Sequence, residues 1–179
     1  VQGTLVSGNY FDVLGVVPAA GRFFLEREDR TAWTHRVVVI SDALWERLYD
    51  RAPSAIGRSL LVNGAALEII GVAPRDFDFY GRENRNNDFF TPLGQLAEKG
   101  FMRDRAEHVL LVTARLKPGI TQKQAEAEMR TLSVRLTSAY PAANTDADAA
   151  FSRSYPMGGY EMLVHGEIFR GRYRNSFEK

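Results

Sequence analysis

Residues 37–72, VVVISDALWERLYDRAPSAIGRSLLVNGAALEIIGV, carry a strand, a helix and a hairpin in succession, and their reading sets the fold class. Val37 to Ile40 is a short, wholly apolar run, the pattern of a strand buried on both faces. Ser41 follows where a hydroxyl caps a helix, and Leu44, Trp45, Leu48 and Tyr49 recur at helical spacing. Asn63-Gly64 then supplies the two positive-φ residues of a type I′ turn between Ser59–Val62 and Ala65–Val72. Leu60 and Val62 share one strand face, as do Leu67 and Ile69 on the partner, so the hairpin has a side to bury.

Working outward, Gly3-Thr4-Leu5-Val6 reads as the end of a strand, with no preceding element to pair it. Asn9 is placed to cap a short helix through Tyr10, Phe11, Val13 and Leu14, which Gly15 ends by tolerating a left-handed backbone. Residues 75–88 are polar and Asn-rich and read as an exposed loop. Val109 to Leu116 reads as a strand closed by the Pro118-Gly119 turn. Thr121 and Gln124 fit a capping box at the start of a second helix. Its apolar stripe is Ala125, Met129, Leu132 and Leu136, and Pro141 stops it after Tyr140. Residues 142–159 turn to Ala, Asp, Ser, Gly and Pro, the composition of a loop. Short strands, two good helices and one tight hairpin make an α+β domain.

Composition narrows the function classes. The 179 residues suffice to bury roughly 70% of the unfolded surface, a real core without staples. A net charge of +1 and no long Lys/Arg run remove the electrostatic footprint of a nucleic-acid binder. The chain has no cysteine, hence no disulfide and no thiolate metal site. No stretch approaches the ~18 apolar residues of a membrane span, and no signal peptide opens the sequence.

Catalytic constellations are equally scarce. His35, His108 and His165 stand far apart without ligand spacing. Asp76, Asp78 and Glu83, or Asp146 and Asp148, lack the regular positions of a calcium loop and read as solvated acidic segments. Ser7 and Ser41 sit at helix starts with no Gly-x-Ser-x-Gly elbow around them, and there is no P-loop. Tyr10, Phe11, Phe23, Phe24 and Trp45 read as core aromatics. Phe77, Phe79, Tyr80, Phe89 and Phe90 interleave with polar residues and read as an exposed partner or substrate contact surface. The run Phe169-Arg170-Gly171-Arg172-Tyr173-Arg174 reads as a solvated basic tail.

A series of short motifs runs through the chain. It comprises Val6-Ser7-Gly8-Asn9-Tyr10-Phe11, Leu14-Gly15, Gly21-Arg22-Phe23-Phe24 with Glu28-Asp29, Val37 to Ser41, Leu44-Trp45, Ile56-Gly57, Asn63-Gly64 and Ile69 to Val72. Pro92-Leu93, Ala114-Arg115-Leu116-Lys117-Pro118-Gly119, Ala125 and Tyr140-Pro141 continue it. In this order the motifs resemble the MacB-like periplasmic core domain, the extracytoplasmic part of a broad family of ABC-transporter permeases (the FtsX/MacB type, here most like its orphan subgroup). The resemblance covers residues 4–141. It implies a porter-like βαβ subdomain of residues 1–35 plus 104–179, with a small β-rich, sabre-like insertion of residues 36–103. It gives structural roles to Asn9, Tyr10, Phe11, Gly15, Gly21, Arg22, Phe24, Trp45, Gly57, Asn63, Gly64, Gly71, Arg115, Pro118 and Gly119. It implies no catalytic, cofactor or metal residues. ATP would bind a separate ATPase domain or subunit. A membrane helix and an opening strand–helix unit are expected upstream, and another membrane helix soon after the basic tail, which then lies against lipid headgroups.

The resemblance implies a non-catalytic permease domain of the plasma membrane, on its periplasmic side, that couples ATP-driven motion to substrate export or to partner action. The motion would act at the subdomain junction near residues 34–36 and 100–106. Expected partners are the ATPase, the flanking membrane helices and a periplasmic adaptor or lipoprotein, and no nucleic acid. Two other readings compete. One is a soluble lipid, lipoprotein or small-molecule binding module with a pocket lined by Phe77, Phe79, Phe89 or Phe90. The other is a hydrolase that uses Asp76, Asp78 and Glu83.

Overall fold

The computed structural model describes residues 1–30, 34–75, 77, 87–96, 112–142, 152–157 and 160–165. The chain is α+β and divides into two compact units, residues 1–99 and 100–179.

The first unit is built on a mixed sheet of β1 (Gln2–Val6), β6 (Asn87–Pro92), β3 (Val37–Ile40), β5 (Ala65–Val72) and β2 (Ala20–Gly21), in that order, with β4 (Ser59–Val62) also beside β5. β3 sits at its centre, parallel to β5 and antiparallel to β6. All four of its residues are buried, as the wholly apolar run requires. Alternation along β3 divides the core in two. Val37 and Val39 pack on one face with Val6, Phe11, Phe24, Ile70 and Phe90. Val38 and Ile40 pack on the other with Leu44, Leu60, Leu67, Ile69 and Phe89.

That second face is covered by α3 (Asp42–Tyr49) and by the hairpin. Ser41 caps α3 by accepting the Leu44 N–H at 3.1 Å. Leu44 is fully buried, whereas Leu48 is 51% exposed and lies outside the expected stripe. Trp45 is half-buried and donates its indole N–H to the Ala52 carbonyl at 2.9 Å. The hairpin turns at Asn63 (φ 48°) and Gly64 (φ 82°), and pairs Leu60 with Leu67 on the buried side, as read from the sequence.

β1 has a partner, which comes from far along the chain: it runs parallel to β6. Asn9 occupies the N-cap position of α1 (Tyr10–Leu14) without a side-chain cap, because its side-chain oxygen accepts the Ser7 hydroxyl instead. Gly15 closes that helix at φ 69°, as expected. The border expected between residues 35 and 36 runs through this one sheet, since β1 hydrogen-bonds β6 and β2 hydrogen-bonds β5.

The second unit has a sheet ordered β7 (Val112–Arg115), β9 (Tyr160–His165), β8 (Ser152–Met157), and the long helix α4 (Gln122–Ala139). Both arms of the Thr121–Gln124 capping box are present. Thr121→Ala is therefore expected to cost about 1 kcal/mol, seen as faster hydrogen exchange at the Gln124 amide. Exchange unchanged there would show that the box does not hold the first turn. The stripe expected on α4 is not buried: Leu132 and Leu136 are 41% and 47% exposed. Residues 152–157, read as part of a loop, form β8 because β9 supplies their ladder. Pro156 is tolerated there because, among the described residues, β8 lies at the edge of its sheet.

Candidate functional site

Of the aromatic residues offered as a contact surface, Phe89 and Phe90 are core residues. Phe89 and Phe90 are strand residues, 6% and 5% exposed, and neighbours on a strand point to opposite faces. Phe90 joins the cluster around Phe11, and Phe89 joins the one around Leu44. They cannot line one patch or one pocket. The polar residues Asn87 and Asp88, which read as loop, open that strand because both neighbours supply hydrogen bonds to it. Phe77 is half-buried, with its ring 5.5 Å from Phe11 and 5.6 Å from Phe90. Phe79, Tyr80, Asp76, Asp78 and Glu83 lie outside the described residues.

Phe11 is the centre of the aromatic face. It is 1% exposed, stacks on Phe23 at 3.9 Å, and has Tyr10, Phe24, Phe77 and Phe90 within 6 Å. Gly21 (φ 67°) and Gly71 let β2 meet β5 beside this cluster. A Cβ on Gly71 would stand 2.1 Å from the Arg22 carbonyl oxygen, so only glycine fits. Gly57 and Gly119 sit at positive φ in turns. Arg115 ends β7, and Pro118 precedes the Gly119 turn.

The acidic pair Glu28-Asp29 on α2 (Glu26–Arg30) carries the polar architecture. Glu28 is 3% exposed and takes both arms of the Arg22 guanidinium, at 2.7 and 2.9 Å. It also accepts the Leu25 N–H at 2.8 Å, which satisfies the open start of α2. Burial pushes the Glu28 carboxyl up, but the Arg22 hydrogen bonds, the Leu25 amide and the Arg22 charge outweigh it and hold the group below the usual carboxylate range. Asp29 points elsewhere: its Oδ2 accepts the Gly8 N–H at 2.8 Å and its Oδ1 the Gly94 N–H at 2.6 Å. Gly94 can come this close only without a side chain, since a Cβ would stand 1.9 Å from the Asp29 carbonyl oxygen.

Gly8 follows the end of β1 and Gly94 follows the end of β6, so Asp29 ties together the C-terminal ends of two parallel neighbours. Their N-terminal ends are tied as well. The Asp88 carboxylate accepts the Gln2 N–H at 2.9 Å and Arg47 of α3 at 2.7 Å, and the Thr4 hydroxyl donates to the Asn87 side chain at 2.9 Å. Between the two ends the Phe89 ring lies over Gly3, where a Cβ would meet it at 2.1 Å.

These groups hold backbone and one another, an arrangement suited to stiffness. Among the described residues, no three His, Asp or Glu side chains come close enough to hold a metal. No helix among them is long and apolar enough to cross a membrane. In the sequence Glu28 and Asp29 stood out only as members of the motif series, for nothing local shows which amides a carboxylate reaches 21 or 65 residues away.

Residues 1–132 match the family model of the MacB-like periplasmic core domain. The chain is also similar in structure to the periplasmic region of MacB from Actinobacillus actinomycetemcomitans, with 17% identity and a TM-score of 0.53, over 79% of this chain and 58% of that one. The chain thus spans less than two thirds of that relative's length. A second solved structure, the extracellular domain of the noncanonic ABC-type transporter YknZ from Gram-positive bacteria, matches at 19% identity and a TM-score of 0.42, over 55% of this chain and 46% of that one. No curated protein sequence matches the chain.

Proposed function

This chain belongs to the family of MacB-like periplasmic core domains, and from that premise we propose that it is the extracytoplasmic part of an ABC-transporter permease that transmits motion and performs no chemistry. The observation that carries the proposal is the family match across residues 1–132. In this reading flanking membrane helices anchor the protein in the plasma membrane, and a separate domain or subunit binds ATP. ATP-driven closure shifts the present domain through those helices, and the shift moves a substrate or acts on a periplasmic adaptor or lipoprotein. The close-packed sheet and the side chains committed to holding backbone support this use, because a part that passes on displacement must not absorb it.

The test begins with the gene. An apolar span of about 20 residues on each side of this segment is expected, with a reporter fused inside the segment active only outside the cytoplasm. In the whole permease, deleting residues 1–99 is expected to abolish transport while ATP hydrolysis persists. A gene encoding no spans, or a reporter active in the cytoplasm, would overturn the proposal.

A further inference from the structure

We infer that β1 and β6 form a mechanical clamp, loaded lengthwise by force between the N-terminal end of β1 and the C-terminal end of β6. The two strands are parallel neighbours joined by five registered residue pairs, from Gln2 with Asn87 to Val6 with Pro92. In a parallel pair the start of one strand and the end of the other lie at opposite ends of the ladder. Force applied there slides the strands past each other and loads all the ladder hydrogen bonds together. Force applied at the same end of both strands peels the ladder open one bond at a time. Forced unfolding follows the barrier to the first rupture, so the two directions differ in strength although the contacts are the same.

Side chains reinforce the lengthwise direction. Asp88 and the Thr4–Asn87 bond pin one end of the pair, and Asp29 pins the other through Gly8 and Gly94. The far side of β6 is held in turn: it pairs with buried β3, and the Thr91 hydroxyl donates to the Val37 carbonyl at 3.1 Å. Sliding β1 therefore works against the core of the unit. The value of such a clamp rests on the reading of this chain as a transmitter of motion. Its geometry does not.

The chain has no cysteine, so introduced cysteines give unique handles for single-molecule pulling. One variant carries Val1→Cys and Leu93→Cys, at opposite ends of the pair. The other carries Ser7→Cys and Leu93→Cys, at the same end. At equal loading rate the first is expected to rupture at a force higher by about twofold or more, because the rungs share the load. Adding Asp29→Ala to the first is expected to lower its force while leaving it above the second. Equal forces for the two handle pairs, or a weaker opposite-end pair, would overturn the clamp and leave the transporter reading standing. Conversely, a permease that transports without residues 1–99 would sink that reading and leave the force ratio untouched.

Discussion

Replacing Phe11 with alanine is expected to destabilise the first unit by about 3–5 kcal/mol, the range for deleting a large ring from a packed core. Phe11 is 1% exposed, and five other rings lie within 6 Å of it. The loss therefore combines transfer free energy with a cavity that rigid neighbours cannot collapse into. Phe11→Leu keeps most of the volume and is expected to cost about 1.5 kcal/mol or less. The measurement is urea denaturation followed by Trp45 fluorescence in a Trp33→Phe background, because the chain has two tryptophans and Trp45 lies against the cluster on the opposite face of the sheet. A loss below about 1 kcal/mol for alanine would mean that the aromatic cluster is not a core.

Replacing Glu28 with glutamine is expected to cost about 2–3 kcal/mol near neutral pH, the scale for hydrogen bonds to a charged group and for breaking an ion pair with one buried partner. The lower part of that range applies, because the Arg22 side chain is 44% exposed and water screens the pair. The folded state holds the Glu28 carboxyl below its ordinary value. Its contribution is therefore fully present above the unfolded value of about 4.3 and is lost as the pH falls through the lower folded value. The natural chain should accordingly lose its advantage over the glutamine variant as the pH drops from about 5 toward 3. Denaturation midpoints of both chains across that range test this. A constant gap at every pH would assign the effect to packing and not to charge.

Much of the local structure was legible because its causes lie within a few residues. Asn63-Gly64 dictates a type I′ turn by backbone sterics alone, and Ser41 and the Thr121–Gln124 pair cap helices through bonds three residues long. The fourfold apolar run Val37 to Ile40 announced a strand with two covered faces. The ordered motifs gave the family, because they record backbone constraints such as Gly21 and Gly71, where a neighbouring strand leaves no room for a side chain.

Long-range pairing was not legible. Asn87 and Asp88 look like loop by composition, and residues 152–157 look like loop too, yet both join strands because distant segments supply their ladders. Phe89 and Phe90 read as an exposed pair for the same reason: once the strand forms, its alternation buries one on each face. The sequence by itself determined the turns, the caps at Ser41 and Thr121, the α+β class and the family. Only the tertiary structure decided that β1 lies parallel to β6, that Glu28 closes on Arg22, and that Asp29 and Asp88 pin opposite ends of that strand pair. A carboxylate's identity is written in the chain, but its partner is set by which backbone amides the folded sheet brings within 3 Å of it.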